Sequence, residues 1–148
     1  MENRIRILRI IYYAFFAQVV LFLCIFSYLK GSFQGLDPYA GAGYFIMETA
    51  AILITLAAIY FAAKALTLSS VRKYIARYPL QNFSTVQTAR YAVTAGACLA
   101  NAVLYFLFGT VSNFYLALIC VLAFIFLYPS RDLCKKFMEE DENNREEA

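Results

Sequence analysis

Residues 91–130 carry no charged side chain, a stretch bounded by Arg90 and Arg131. One helical crossing of a bilayer needs about 20 apolar residues, so this stretch is long enough to cross twice. It divides at Gly109-Thr110 into spans over 91–108 and 111–128. Two further apolar segments precede it, over 10–29 and 44–63, the first held between Arg9 and Lys30. The pattern predicts an all-α integral membrane protein, an antiparallel four-helix bundle.

A soluble alternative fails on the balance of residue types. The chain is 62% hydrophobic and 16% charged, whereas soluble domains are about half apolar and about a quarter charged. Too few polar residues remain to coat a core made of four long apolar segments. A length of 148 residues suits one bundle over 1–138 and leaves no room for a second folded domain. The first span is longer than a signal-peptide apolar region, and no small-residue cleavage site follows it promptly, so it is expected to be retained.

Charge placement predicts the orientation. Arg4, Arg6 and Arg9 precede the first span; Lys64, Arg72, Lys73, Arg77 and Arg90 lie between the second and third; Arg131, Lys135, Lys136 and Arg145 follow the fourth. All of these fall on one side, and Lys30 alone falls on the other. Basic loops stay on the cytoplasmic side, so both termini are expected in the cytoplasm and the protein in the cell inner (plasma) membrane. Tryptophan is absent, so tyrosine is expected to form the interfacial belt. Tyr12, Tyr13, Tyr60, Tyr91 and Tyr128 would mark its inner edge, and Tyr28, Tyr44, Tyr105 and Tyr115 its outer edge.

The connections have signatures of their own. Gly31, Gly35, Asp37-Pro38, Gly41 and Gly43 mark a longer first loop, where Asp37 is a candidate N-cap ahead of Pro38. Between spans two and three, Val71, Tyr74, Ile75 and Tyr78 recur at helical spacing, which predicts a short helix over 70–78 in the inner interface. Arg72, Lys73 and Arg77 fall off its apolar face and are candidate contacts for anionic lipid headgroups. Ser84-Thr85-Val86-Gln87 fits a capping box opening the third helix. Gly109, Thr110, Ser112 and Asn113 predict a very tight turn into the fourth. The acidic segment 139–148 has almost no apolar residues and is expected to be disordered.

Several chemistries are excluded. Histidine is absent, which removes metal sites built on imidazole. Cys24, Cys98 and Cys120 lie inside spans and Cys134 just beyond the last, with no Cys-x-x-Cys pair, so they read as small packing residues. No nucleophile–base pair, phosphate loop or cofactor motif is visible, and no basic surface is large enough for nucleic acid. The chain is read as a non-enzyme without cofactor.

The remaining candidates are polar groups at membrane depth. Glu48 is the only acid in a span, about 24 Å from Lys64 at about 1.5 Å per residue. An ionised carboxylate there is costly, so intramembrane acids are candidate functional sites. Gln18 and Asn101 are its possible partners from the first and third spans, with Thr55 adding a hydroxyl. Ala92, Gly96 and Ala100 form a small-residue stripe on the third span, and Ala51, Thr55, Ala58 and Ala62 form one on the second. These two stripes are expected to pack together, with a homodimer seam as the other use of such a face.

Arg90-Tyr91-Ala92 at the opening of the third span and Pro129-Ser130-Arg131 at the close of the fourth are short boundary motifs. In these the chain resembles uncharacterised four-span bacterial inner-membrane proteins. Many of those place an acid soon after the opening of the third helix, where this chain has Ala95-Gly96. The resemblance implies a membrane location and no particular activity. The sequence as a whole points to a structural or accessory membrane component whose partners are the bilayer and another membrane protein or a second copy of itself. The alternative is a small oligomeric ion- or proton-coupled transporter using Glu48.

Overall fold

The computed structural model describes residues 2–30 and 42–146, and those residues are almost entirely helical, with no strand among them. Six α-helices follow in order: α1 Glu2–Lys30, α2 Ala42–Lys64, α3 Ser69–Arg77, α4 Pro79–Phe108, α5 Val111–Phe126 and α6 Arg131–Glu146. A single 3₁₀ turn, Ala65–Thr67, joins α2 to α3. The proposed N-cap at Asp37 lies outside the described residues. Three helices, α1, α2 and α4, are long and apolar enough to cross a membrane, and α5 with the start of α6 makes a fourth if the bent pair is one span. This architecture suits a multi-pass membrane protein.

The helices outrun the spans at their charged ends. α1 and α4 contain 29 and 30 residues, about 45 Å each, against about 30 Å of bilayer hydrocarbon. Helix α4 begins at Pro79, whose ring presets the first helical turn and whose missing N–H leaves no donor unsatisfied. The expected capping box is therefore wrong: Ser84 lies inside the helix, and its carbonyl accepts the Thr88 hydroxyl at 2.9 Å. Gln87 is drawn away from the Ser84 amide because its Oε1 accepts a hydrogen bond from Arg90.

The turn into α5 is as tight as its residues predict. Gly109 sits at φ 70° and donates its N–H to the Tyr105 carbonyl at 2.8 Å. That left-handed conformation favours a residue without Cβ. Asn113, buried at the start of α5, donates its side-chain amide to the Thr110 hydroxyl. Helix α5 has 16 residues, about 24 Å, and ends at Phe126, two residues short of the expected boundary. Its last turn tightens as the Leu127 and Tyr128 amides reach Phe124 and Ile125, and Pro129 stops it.

Helix α4 is the hub of the packing. α5 runs back along it, with Tyr91 against Phe124 at one end and Tyr105 against Phe114 at the other. α1 meets it through Tyr12–Tyr91, and near the other end Phe26 meets Phe106. α2 meets it through Thr55–Asn101 and Ala62–Arg90. Tyr12 and Tyr91 thus belong to the core and not to an interfacial belt: they are 5% and 0% exposed, and the Tyr12 hydroxyl donates to the Phe124 carbonyl at 3.2 Å. Tyr13, Tyr28, Tyr60 and Tyr115 remain exposed as a belt requires.

Helix α3 packs on α4 through buried Ile75 and is tied there by the Asn82 side-chain amide, which donates to the Tyr74 carbonyl. Helix α6 begins where Ser130 Oγ accepts the Leu133 amide at 3.2 Å, an N-cap. It sets Cys134 into the core and Phe137 against Phe83, ring centroids 5.5 Å apart. It continues to Glu146, through most of the acidic segment whose composition predicts disorder. Glu, Lys and Arg are good helix formers, and a helix already anchored at Leu133, Cys134 and Phe137 propagates readily through them.

Candidate functional site

Of the three polar residues expected to meet, the structure places one in the interior. Asn101 is 2% exposed, with its side-chain amide donating to the Thr55 hydroxyl at 2.7 Å and to the Ala97 carbonyl at 2.9 Å. The Thr55 hydroxyl in turn donates to the Ala51 carbonyl at 2.7 Å. This chain satisfies every donor and leaves one acceptor over: Asn101 Oδ1 is buried without a partner among the described residues. Beside it lies a largely apolar cleft of about 190 Å³ between α2 and α4, whose walls include Met47, Ile54, Ala100 and Leu104.

Gln18 does not join this node. It is exposed on α1, and α1 and α2 flank α4 without forming one of the bundle's main interfaces. Its neighbour Val19 takes the buried position at 2% exposure. Glu48 is half-buried on α2. It lies seven residues before Thr55, about 10 Å further toward the end of α2 nearest the first loop. The structure therefore joins Asn101 to Thr55 and keeps Gln18 and Glu48 apart from them.

The two small-residue stripes part company as well. Ala51, Thr55, Ala58 and Ala62 are buried, as close packing of α2 requires. Ala92, Gly96 and Ala100 are exposed, and a Cβ added at Gly96 meets nothing within 4 Å. Residues 94, 97 and 101 turn toward the interior instead, being buried. The 3.6-residue turn explains the correction: contact with α1, α5 and α2 occupies three sides of α4, and the stripe falls on the fourth.

At the other end of α2 a clamp appears that the sequence marks only as boundary charge. Arg90 is 7% exposed; its Nε donates to the Ala62 carbonyl, and a terminal guanidinium nitrogen donates to Gln87 Oε1. Ala62 lies in the last turn of α2, where carbonyls lack helical partners and the dipole favours a cation. Arg90 thus closes the end of one helix from the side of another. An arginine at the edge of a span, three residues after a glutamine, was the only signal. Arg72, Lys73 and Arg77 are exposed on α3, where charged headgroups can reach them.

Cys98, Cys120 and Cys134 are buried thiols and Cys24 is exposed; all four are free. No group of three His, Cys, Asp or Glu residues is placed to hold a metal ion among the described residues. Comparison with known proteins gives no matching family model, no matching curated protein and no matching solved structure.

Proposed function

We propose that this chain is a non-enzymatic accessory component of the cell inner membrane that seats a transmembrane helix of another membrane protein on the open side of α4. The bundle is antiparallel in this reading, and both termini face the cytoplasm, which the distribution of Lys and Arg supports. One observation carries it: the exposed stripe Ala92, Gly96 and Ala100 reaches, at Ala100, a cleft that Asn101 also lines, and Asn101 Oδ1 is buried without a donor among the described residues. Small residues let a partner backbone approach closely, and a side-chain donor from that partner would complete the polar node.

Photo-crosslinking in the native membrane tests this. A crosslinking residue at position 96 or 100 should give one discrete adduct with another membrane protein, and one at buried position 98 should give none. Adducts with lipid alone would overturn the proposal.

A second reading rests on Glu48, a half-buried acid on a helix apolar enough to span, with no hydrogen bond to it among the described residues. If the chain is a small oligomeric proton-coupled transporter, Glu48→Gln should abolish flux in reconstituted vesicles while insertion and melting stay as in the wild type. Unchanged flux, or flux lost only together with folding, removes that reading.

A further inference from the structure

The inner ends of α1 and α6 enclose a second cavity, of about 250 Å³, lined by Glu2, Asn3, Ile5, Arg6, Arg9 and Arg131. Three arginines and one acidic residue thus line it. Arg6 and Arg9 are three apart on α1 and share a face of that helix. Arg131 arrives from the first residue of α6, brought alongside by the sharp bend of 64° between α5 and α6. Arg9 is also held in place, its guanidinium carbon lying 5.8 Å from the centroid of the Tyr128 ring. Stacking on that ring leaves Arg9 Nε buried with no hydrogen-bond partner among the described residues.

The depth of this cavity matters as much as its charge. Arg9 immediately precedes the first apolar span, and Arg131 immediately follows the last uncharged stretch. With the helices spanning a bilayer as proposed, both would lie near the level of the phospholipid phosphates. Guanidinium groups pair with phosphate oxygens through two parallel N–H donors, which ammonium groups cannot do. Glu2 lies at the start of α1, and Asp132 follows Arg131 without lining the cavity, so positive charge predominates.

We infer that Arg6, Arg9 and Arg131 form a binding site for a phosphate-bearing anion, either the headgroup of an anionic phospholipid or a free phosphate. The site is separate from Arg72, Lys73 and Arg77 on α3 and from the open face of α4. It would fix the bend after α5 by joining the start of α1 to the start of α6.

The test uses the full chain purified in detergent and supplied either with phosphatidylglycerol or with inorganic phosphate. Native mass spectrometry should show one tightly retained phosphatidylglycerol. The double variant Arg6→Gln, Arg131→Gln should bind it roughly tenfold more weakly or worse. Both positions are exposed, so folding should persist, checked as an unchanged melting midpoint in phosphatidylcholine. Arg9→Lys, which keeps the charge and loses the fork, should also weaken binding. Thermal stabilisation by millimolar phosphate, lost in the double variant and with no lipid retained, would place the same chemistry on a free phosphate. Neither lipid retention nor phosphate stabilisation, or retention undiminished in the double variant, would overturn the site.

Discussion

At the scale of single residues, the polar groups of this chain sort by which of them can find a partner inside. Asn101 and Thr55 meet because each lies on the inward side of its helix. Gln18 does not, because the inward position on α1 at that depth belongs to Val19. Arg90 shows how a charge is tolerated in an apolar bundle: it is spent on the unsatisfied end of α2 and on Gln87. Removing it would strand both the Ala62 carbonyl and the Gln87 side chain, and the Gln87 amide nitrogen is already buried and unpartnered. Arg90→Ala is expected to lower stability by about 1–3 kcal/mol, the cost of leaving buried polar groups unmet. Arg90→Lys should recover only part of it. Reversible unfolding in bicelles measures both, and a neutral Arg90→Ala would show that the clamp carries no stability.

At the scale of elements, the spans were legible in the sequence because bilayer crossing demands long runs free of charge. The turn at Gly109 was legible because few residues tolerate its backbone. What was not legible is rotation about each helix axis. Spacing identifies a face such as Ala92, Gly96 and Ala100, but which neighbour it meets depends on how all the helices share the surface of α4. Small-residue stripes occur at helix contacts and at open faces alike, so the sequence paired two stripes that the structure separates. The α3 segment forms the short helix its spacing predicts. Ile75 of its apolar face is buried, while Tyr74 and Tyr78 of the same face stay exposed. Helix α6 was missed because its anchoring residues Leu133, Cys134 and Phe137 are few and its acidic end dominates the composition. Two glycines give a matched test of these environments. Gly109→Val should destabilise by about 1–2 kcal/mol, the cost of a left-handed backbone with a Cβ. Gly96→Ala should be neutral or slightly stabilising, since nothing lies within 4 Å of the added carbon. Equal losses at the two positions would contradict the assignment of one to a turn and the other to an open face.

At the scale of the whole molecule, the bundle is lopsided. Helix α4 is covered by α1, α5 and α2 and left bare along one side, and the polar node of Asn101 and Thr55 opens toward a cleft that Ala100 also lines. In a bilayer such a side meets either lipid or another helix, and the proposed function assigns it to a partner helix. The most direct test is the native mass of the protein extracted with its surrounding lipid, without detergent, from cells making the wild type or Gly96→Leu. The account predicts a stoichiometric foreign membrane subunit on the wild type. It also predicts loss of that subunit from Gly96→Leu at an unchanged melting midpoint, because the bulky side chain fills the seat from a position where an added Cβ meets nothing within 4 Å. A wild type that emerges as the chain alone or as copies of itself, or a Gly96→Leu variant that keeps the subunit, would contradict it.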